Sequence, residues 1–362
     1  MNKYEKIEVI LPNLNKRFSG ILGSILSVAP HQTKDVHFAK IGYPFPMDIP
    51  RIGWIDLFKL TSKPLSDGRL RIFHSRRNME MLTGIILKYI FKRKIHLLHT
   101  SAAQRVHTAW TNFLFRQMDT IIATSPRTAT FLPRKPDFII PHGVNTEKYQ
   151  PAENRLREWE QGGAGGEYGI GIFGRVRPNK GVQNYVDALC EVLPRHPDFT
   201  AIIVGKTTPQ FFQFETNLKN KIKKLGLEKQ FLWLGELPIN EVPGWFRRVS
   251  VVAAVSHNEG FGLTCLEAMA SGAAVVGTMT GAFDTLIRDG VDGFVIPCND
   301  TAALANAFEK LLSSPEMIVQ MGKSARQRVC DLYTIQKEAD AITNAYRVST
   351  EPLNPLKTCV NF

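Results

Sequence analysis

Residues 250–272 read Ser-Val-Val-Ala-Ala-Val-Ser-His-Asn-Glu-Gly-Phe-Gly-Leu-Thr-Cys-Leu-Glu-Ala-Met-Ala-Ser-Gly. The apolar run from Val251 to Val255 is typical of a parallel strand that is buried on both faces. A glycine turn follows at Glu259 to Gly262, and a helix is predicted from about Leu263 to the Ser271-Gly272 pair, where glycine suits a helix C-terminus. A strand, a glycine turn and a helix N-terminus in succession predict an α/β unit with an anion site. The free N–H groups and the positive end of such a helix point at the ligand.

Two carboxylates flank this turn, Glu259 in the loop and Glu267 early in the helix. A carboxylate accepts hydrogen bonds and repels phosphate, so both side chains are expected to face hydroxyl groups of a ligand. The stretch therefore suits a ligand with phosphates in the middle and hydroxyls on each side, as in a nucleotide sugar. Taken alone, each glutamate is as readily a partner of the helix dipole.

The string from Glu259 to Glu267, with seven residues between the glutamates, resembles the Glu-x7-Glu signature of retaining glycosyltransferases of family 4. The resemblance implies the GT-B fold. This is an α/β architecture of two Rossmann-like domains with doubly wound parallel sheets and an active site in the interdomain cleft. The resemblance also implies that Glu259 hydrogen-bonds the transferred sugar and that Glu267 hydrogen-bonds the ribose. Further donor contacts are expected from Gly260, Phe261, Gly262, Leu263 and Thr264.

The bulk composition is that of a globular protein with more than one core. A chain of 362 residues usually forms two domains, and 44% hydrophobic with 22% charged residues is ordinary. The five cysteines are odd in number and have no Cys-x-x-Cys spacing, which favours a reducing compartment and argues against a zinc site. No signal-peptide core and no apolar run of about 20 residues is present, so a cytoplasmic location is expected.

The positive charge is concentrated in the first half of the chain. Residues 1–150 contain 23 Lys and Arg against 10 Asp and Glu, a net charge of +13, whereas the remainder has a net charge of −1. An acidic partner is therefore expected for the first half, either anionic lipid, a phosphorylated saccharide or nucleic acid. Nucleic acid is disfavoured because no helix-turn-helix, RNP-like string or zinc spacing is present.

Two features near the start of the chain suggest ligand contacts. A predicted strand at residues 7–12 leads into a loop that contains Gly20, and in the resembled family this loop touches the donor diphosphate. Arg76 and Arg77 follow a predicted strand at residues 70–74, where open α/β sheets bind ligands. They are candidate acceptor-binding residues, although a solvated charged loop is an equal alternative.

Residues 79–94 are predicted to form one helix that ends in Phe-Lys-Arg-Lys. A packed helix with a basic C-terminus is favoured over a helix that rests on an anionic membrane, but the regional charge keeps membrane contact open. The next segment, His99-Thr100-Ser101, resembles the His-Thr-Ser segment of family 4 mannosyltransferases. That resemblance implies that His99 contacts the transferred sugar or takes part in catalysis.

The second half begins after a polar, glycine-rich segment at residues 151–168, which predicts a flexible boundary. The expected domains are residues 1–160, which bind the acceptor, and residues 168–335, which bind the nucleotide sugar. Residues 336–362 are expected to form a helix that returns to the first domain and a tail. Arg175 and Lys180 lie between a strand end and a helix start, where they are well placed to neutralise a diphosphate leaving group. The Gly-Arg-x4-Lys-Gly string also matches the family's diphosphate motif.

The whole chain resembles lipopolysaccharide core mannosyltransferases. The resemblance implies transfer of mannose from GDP-mannose, with retention, to an inner-core acceptor anchored by lipid A, with the enzyme peripheral at the cytoplasmic membrane face. His99, Arg175, Lys180 and Glu259 are the expected catalytic residues. No Asp-x-Asp occurs, so neither a metal nor another cofactor is expected. The alternatives are a transferase that uses UDP-glucose or UDP-galactose, and a non-catalytic module that binds nucleotide sugar or lipid.

Overall fold

The computed structural model describes residues 4–16 and 20–351, with the backbone alone for Ile21. The described chain divides into two compact units. Unit 1 comprises residues 1–142 together with residues 335–362, and unit 2 comprises residues 143–334. Part of the loop before Gly20, at residues 17–19, and the predicted tail from residue 352 lie outside the described residues.

Unit 1 is built on a six-stranded parallel sheet with helices on both faces. Its strands are β1 (Val9–Asn13), β2 (Phe38–Gly42), β3 (Arg71–Ser75), β4 (Ile95–Ser101), β5 (Thr120–Ala123) and β6 (Phe138–Ile139). They lie in the order β2-β1-β3-β4-β5-β6. Its helices are α1 (Gly20–Gln32), α2 (Trp54–Leu60), α3 (Asn78–Ile85), α4 (Ala109–Arg116), α5 (Pro126–Ala129) and α14 (Ile335–Thr350).

The two faces of the first sheet carry separate apolar cores. Alternate residues of a strand point to opposite faces, so Ile72 packs in a core with α1 and α14, while Phe73 packs with α2, α3 and α4. Helix α14 is the return helix that the sequence predicted from residue 336. Its place in unit 1 is held by the side-chain amide of Gln32, which donates to the carbonyl of Ala339 and to the hydroxyl of Thr343.

Unit 2 repeats this design with a second six-stranded parallel sheet. Its strands are β7 (Tyr168–Phe173), β8 (Phe199–Val204), β9 (Phe231–Gly235), β10 (Val251–Ala254), β11 (Ala274–Thr278) and β12 (Gly293–Ile296). They lie in the order β12-β11-β10-β7-β8-β9. Its helices are α6 (Arg155–Gln161), α7 (Val182–Val192), α8 (Phe212–Lys224), α9 (Val242–Arg248), α10 (Leu263–Ala270), α11 (Phe283–Leu286), α12 (Thr301–Leu312) and α13 (Pro315–Leu332).

The burial of strand β10 explains why residues 251–255 form an unbroken apolar run in the sequence. Val251 and Ala253 belong to the core on one face of the second sheet, and Val252 and Ala254 belong to the core on the other. All four are at most 5% exposed. Because helices cover both faces of a parallel sheet, neither set of alternate positions tolerates a polar residue. The prediction of a doubly wound parallel sheet is therefore confirmed.

The division between the units lies earlier than the boundary expected near residues 151–168. That segment contains α6, whose Trp159 is only 1% exposed and packs against Gly169 at the start of β7. The indole N–H of Trp159 donates to the carbonyl of Gly165, 2.9 Å away. The glycine-rich segment is thus a turn packed within unit 2, and the chain passes between the units at residues 142/143 and 334/335.

The single helix expected at residues 79–94 is shorter and changes character along its length. An α-helix spans Asn78–Ile85 and continues as a π-helix over Ile86–Ile90. Lys92, in the basic segment that follows, has a left-handed backbone with φ of 52°. Within the described residues, no helix has both the length and the apolar character that crossing a bilayer requires.

Candidate functional site

The candidate site of unit 2 lies where the strand order of the second sheet reverses. Strands β7 and β10 are neighbours, but the crossovers that leave them run to opposite sides of the sheet. The loops at their carboxyl ends therefore diverge and leave a crevice, which is the usual ligand site of an open α/β sheet. The loop after β7 carries Arg175 and Lys180, and the loop after β10 carries Glu259.

The loop after β7 is held close to β10 by a glycine. Gly181 precedes α7 with φ of 72°, a left-handed backbone conformation that residues other than glycine rarely adopt. A Cβ atom at this position would collide with the carbonyl oxygen of Val255, at the end of β10. The carbonyl of Asn179 also accepts a hydrogen bond from the backbone N–H of His257, at 3.0 Å. The two loops are thus in direct contact, which brings Lys180 beside Glu259.

Lys180 and Glu259 form the central ion pair of the site. The Nζ atom of Lys180 lies 2.5 Å from Oε2 of Glu259, and both side chains are about one-quarter exposed. The hydroxyl of Ser256 donates to the same carboxylate oxygen at 3.3 Å, and the backbone N–H of Glu259 donates to the hydroxyl of Thr280 at 3.3 Å. The carboxylate is therefore positioned by Lys180 and Ser256 before any ligand binds, and the backbone of Glu259 is held by Thr280.

The glycine turn positions the start of α10. Gly262 has φ of 103°, and a Cβ atom there would collide with the ring of Phe283. Leu263 and Thr264 form the first helical turn, whose backbone N–H groups have no earlier helical carbonyls to bind. This confirms the strand–turn–helix arrangement that the sequence predicted and places the helix N-terminus at the crevice. The roles of Gly260 and Phe261 in donor binding stay predictions.

Glu267 has a hydrogen-bond partner that the sequence motifs do not predict. The hydroxyl of Tyr149 hydrogen-bonds the Glu267 carboxyl. Burial raises the pKa of Glu267, and the Tyr149 bond and the nearby Lys148 oppose that rise. Tyr149 itself is 8% exposed, and burial raises the pKa of its phenol. Tyr149 lies in the segment before the second sheet, so only its proximity in the fold reveals the contact.

Arg175 and Arg177 lie in the same loop but in different surroundings. Arg175 is exposed and forms no ion pair among the described residues. Arg177 is half-buried, and its Nε atom is buried without a hydrogen-bond partner. The loop therefore offers cationic donors to a ligand at the crevice in addition to Lys180. Within residues 4–16 and 20–351, no three His, Cys, Asp or Glu side chains are grouped as metal ligands.

The remaining predicted residues lie in unit 1. His99, near the carboxyl end of β4, is 4% exposed, and its Nδ1 atom lies 2.9 Å from the hydroxyl of Ser75. Its ring packs edge-on against Phe115, with centroids 5.1 Å apart. Burial, together with the positive charge of Arg76, lowers the pKa of His99 to about 3. The imidazole is therefore neutral at physiological pH and can act as a hydrogen-bonding group but not as a cation.

The adjacent arginines after β3 have different partners. Arg77 donates to the side chains of Asn13 (3.2 Å) and Glu80 (3.1 Å), and so links the ends of β1 and β3. Arg76 hydrogen-bonds the hydroxyl of Tyr346 from α14, but its Nη1 atom is buried without a partner. Both lie at the carboxyl edge of the first sheet. Gly20 begins α1, next to residues outside the described range.

The comparisons with known proteins match this arrangement. The family model described as "Glycosyl transferases group 1" matches residues 157–328. A protein of Rhizobium leguminosarum bv. viciae named "Lipopolysaccharide core biosynthesis mannosyltransferase LpcC" is 39% identical over 94% of this chain and 96% of its own length. A protein of Rhizobium meliloti named "Lipopolysaccharide core biosynthesis mannosyltransferase LpsB" is 36% identical over 94% of this chain and 97% of its own length. The chain belongs to the glycosyl transferases group 1 family.

The fold of this glycosyltransferase is GT-B. Anabaena Alr3699/HepE, solved in complex with UDP and glucose, superposes with a TM-score of 0.77 over 94% of this chain and 100% of that chain, at 18% sequence identity. The matched family segment, residues 157–328, runs from α6 to α13 and contains the Lys180–Glu259 pair and Glu267. Unit 1 lies outside that segment, and the two rhizobial relatives extend the sequence match to most of unit 1, since each covers 94% of this chain.

Proposed function

We propose that this glycosyltransferase moves mannose from GDP-mannose onto the inner core of a lipopolysaccharide acceptor, with retention of configuration and without a catalytic metal. The observation that carries the proposal is the match to two relatives, both named as lipopolysaccharide core mannosyltransferases, along nearly the whole chain. The geometry of unit 2 supports a nucleotide-sugar donor, because cations, a helix N-terminus and two carboxylates converge at one crevice.

Each group of this crevice has a proposed role. Lys180 and Arg175 bind the diphosphate, together with the N–H groups at the start of α10. Glu259 accepts hydrogen bonds from hydroxyls of the transferred sugar, and Glu267 accepts from the ribose. Since Lys180 already holds Glu259 at 2.5 Å, the charged diphosphate and the sugar hydroxyls meet a pair that is oriented before binding.

In the proposed reaction, the bond between the sugar's anomeric carbon and the diphosphate oxygen breaks as an acceptor hydroxyl oxygen bonds to that carbon from the same face. The acceptor proton passes to the departing diphosphate oxygen. Lys180 and Arg175 stabilise the negative charge that develops on this leaving group. His99 donates or accepts a hydrogen bond at the sugar as a neutral imidazole, in agreement with its lowered pKa.

The proposed location is peripheral, at the inner face of the cytoplasmic membrane. Three residues at the end of the π-helix, Tyr89, Ile90 and Phe91, are 44–68% exposed. The ring of Phe91 packs on Phe58 of α2, with centroids 4.9 Å apart, and Ile55, one turn from Phe58, is 72% exposed. The basic residues 92–94 follow directly. Exposed apolar side chains beside cations are typical of a surface that contacts anionic lipid.

The first test is donor hydrolysis and transfer by the full chain across a panel of GDP- and UDP-sugars. Selective turnover of GDP-mannose is expected, and proton NMR of the product should show the α-configuration of the donor sugar. An inverted product would contradict the retaining mechanism, and preference for a UDP-sugar would contradict the mannosyl assignment. Absence of both binding and turnover across the panel would contradict an enzymatic role and favour a binding module.

A UDP-hexose is the second candidate donor. The solved neighbour with UDP and glucose has the same fold over nearly the whole chain, although at 18% identity it supports the fold alone. In this alternative, the diphosphate contacts of Lys180 and Arg175 are unchanged and only the base and sugar contacts differ. Competition between GDP and UDP against a fixed donor separates the two candidates, since the preferred base gives the lower inhibition constant.

A further inference from the structure

A hydrogen-bond network that the proposed mechanism does not use joins three segments at the carboxyl edge of the second sheet. Its centre is Asn184, in the first turn of α7, which is only 9% exposed. The side-chain oxygen of Asn184 lies 2.8 Å from Nε2 of His257, in the loop after β10. Its side-chain nitrogen donates to the hydroxyl of Thr301 at 2.8 Å and to the side-chain oxygen of Asn299 at 3.2 Å. Asn184 thereby connects the segments that follow β7, β10 and β12.

The amide of Asn184 determines which atom of His257 carries the proton. Because the amide nitrogen donates to Thr301 and Asn299, the amide oxygen is the group that faces His257, and it can only accept. The Nε2 atom of His257 is therefore the donor of this hydrogen bond. A substitute for histidine must accordingly place an N–H group where Nε2 lies in order to keep the bond.

The loop after β12 is held in an unusual conformation where it meets this network. Asn299 has φ of 61°, and it is one of two residues other than glycine with a left-handed φ in the described part of the chain. Asparagine adopts this conformation more readily than most side chains do. The next residue, Asp300, caps α12 by accepting from the backbone N–H of Ala303 at 2.8 Å. The network is therefore anchored at a capped helix end.

His257 also belongs to the segment that carries Glu259. Its backbone N–H donates to the carbonyl of Asn179 at 3.0 Å, and the hydroxyl of the preceding residue, Ser256, donates to the Glu259 carboxylate at 3.3 Å. The carbonyl of Ser256 accepts from the hydroxyl of Thr278 at the end of β11, at 2.8 Å. The segment from Ser256 to Glu259 is thus bonded to the neighbouring loops, and His257 supplies its side-chain contact with α7.

We propose that His257 and Asn184 are positioning residues, which hold Glu259 where it contacts the transferred sugar of the donor. The inference rests on the glycosyltransferase function proposed above and deepens it, because it assigns to this network the recognition of the donor's sugar. The hydrogen bond joins the loop that carries Glu259 to the helix that follows Lys180. Its loss lets the carboxylate move away from the sugar hydroxyls. GDP contains no transferred sugar, so the affinity for GDP does not depend on the network.

Two substitutions of His257 separate the hydrogen bond from the mere presence of a polar side chain. Glutamine places its amide nitrogen near the position of Nε2, from which it can donate to Asn184, whereas asparagine is one methylene shorter and cannot reach. His257→Asn should therefore raise the Kd of GDP-mannose about tenfold, and His257→Gln should keep it within roughly threefold of wild type. Titration calorimetry of the full chain measures both values. The Kd of GDP should stay within about twofold in both variants.

His196→Asn is the matched control within unit 2. The Nε2 atom of His196 lies 3.1 Å from a carboxylate oxygen of Glu309 in α12, and its side chain is 13% exposed. This contact lies just before β8 begins, so it is at the amino edge of the sheet, away from the crevice. Its loss should lower the melting temperature and leave the Kd of GDP-mannose within about twofold. Equal losses of GDP-mannose affinity in His196→Asn and His257→Asn would overturn the proposal.

Two double variants test whether the network acts through Glu259. In a Glu259→Ala background, His257→Asn should cause no further loss of GDP-mannose affinity, because the carboxylate that the network positions is absent. Asn184→Ala together with His257→Asn should lose no more affinity than Asn184→Ala alone, because both changes remove the same hydrogen bond. Additive losses in either pair would contradict a positioning role.

The wild-type protein provides the check on the underlying function. The same titrations with UDP-glucose and UDP cover the second candidate donor. If the wild type binds either donor and His257→Asn binds that donor equally well, the positioning role alone is overturned. If the wild type binds neither donor, the proposed function is overturned together with this inference.

Discussion

At the scale of single residues, the Lys180–Glu259 ion pair joins the cation proposed to bind the diphosphate to the carboxylate proposed to bind the sugar. Its side chains are partly solvated, so the pair contributes only about 0–1 kcal/mol to folding. We therefore expect Lys180→Ala to lower kcat by about 10²- to 10³-fold, in the range seen when one donor to a developing negative charge is removed. The melting temperature should change little. The measurement is donor turnover together with thermal unfolding.

Lys206→Ala is the control for this variant. Lys206 also pairs with a glutamate of unit 2, Glu236, at 2.6 Å, but both side chains are more than half exposed. Its removal should leave kcat within about twofold of wild type. If Lys180→Ala lost stability in proportion to activity, Lys180 would be a structural residue.

The neutral state of His99 predicts how stability depends on pH. Its pKa is about 3 in the folded protein and about 6.5 when unfolded, so protons bind the unfolded chain preferentially below pH 6.5. Stability is unaffected above that value and is lost as the pH falls toward 3. Between pH 7.5 and pH 5 the loss from this one group is about 2 kcal/mol.

Urea unfolding of His99→Asn at both pH values tests this linkage. The variant should lose about 2 kcal/mol less than wild type over the same interval, whatever its stability at pH 7.5. Parallel pH dependence in wild type and His99→Asn would show that His99 is not buried in the neutral form.

At the scale of elements, the crevice depends on how closely the loop after β7 approaches β10. Gly181→Ala should be costly, because the left-handed backbone costs roughly 1–2 kcal/mol for alanine and the collision with the Val255 carbonyl adds about 1–3 kcal/mol. Gly226→Ala is matched in backbone conformation, with φ of 68°, but its Cβ would have no heavy atom within 4 Å. Only Gly181→Ala should also weaken donor binding, measured by nucleotide titration alongside urea unfolding. Equal losses of stability in the two variants would show that the loop contact is not tight.

The elements were more predictable than the contacts between them. Buried parallel strands such as β10 are apolar at every position, so they stand out in the sequence, and the strand–turn–helix of residues 250–272 was predicted with its helix start at Leu263. The position of the division between the units was not predicted from residues 151–168, because glycine composition cannot distinguish a linker from a turn that Trp159 covers. The π-helix at Ile86–Ile90 likewise has no periodicity that marks it.

The site was predictable where one segment carries several of its residues. Glu259 and Glu267 belong to one string, whereas Tyr149 reaches Glu267 across 118 positions of the chain and has no spacing rule to reveal it. The bond between His257 and Asn184 likewise joins residues 73 positions apart. Sequence patterns indicate local backbone geometry, whereas hydrogen bonds between residues that are distant in the chain become apparent only in the folded structure.

At the scale of the whole molecule, the proposed mechanism makes the protein rather than a metal responsible for the leaving group's charge. Lys180, Arg175 and the start of α10 are the groups assigned to this task. Addition of EDTA should therefore leave the donor turnover rate of the full chain within about twofold, and Mg²⁺ should not raise it further. A strict requirement for a divalent cation would contradict this assignment.

The net positive charge of the molecule lies in unit 1. Residues 1–142 and 335–362 contain 25 Lys and Arg against 12 Asp and Glu, a net charge of +13, whereas residues 143–334 have a net charge of −1. Unit 1 should therefore dominate attraction to an anionic bilayer, and this attraction should weaken as salt shortens the range of the field. The full chain should sediment with vesicles that contain phosphatidylglycerol and not with pure phosphatidylcholine vesicles.

The double variant Lys92→Gln/Lys94→Gln locates this contact. Both lysines are exposed beside Ile90 and Phe91, and each cation near an anionic surface contributes about 1 kcal/mol, so their joint loss should weaken vesicle binding roughly 30-fold. Lys223→Gln/Lys224→Gln removes the same charge from exposed positions at the end of α8 in unit 2. It should leave binding nearly unchanged. Equal losses of vesicle binding in the two double variants would mean that binding depends only on the total charge of the protein. The end of the π-helix would then not be the membrane contact.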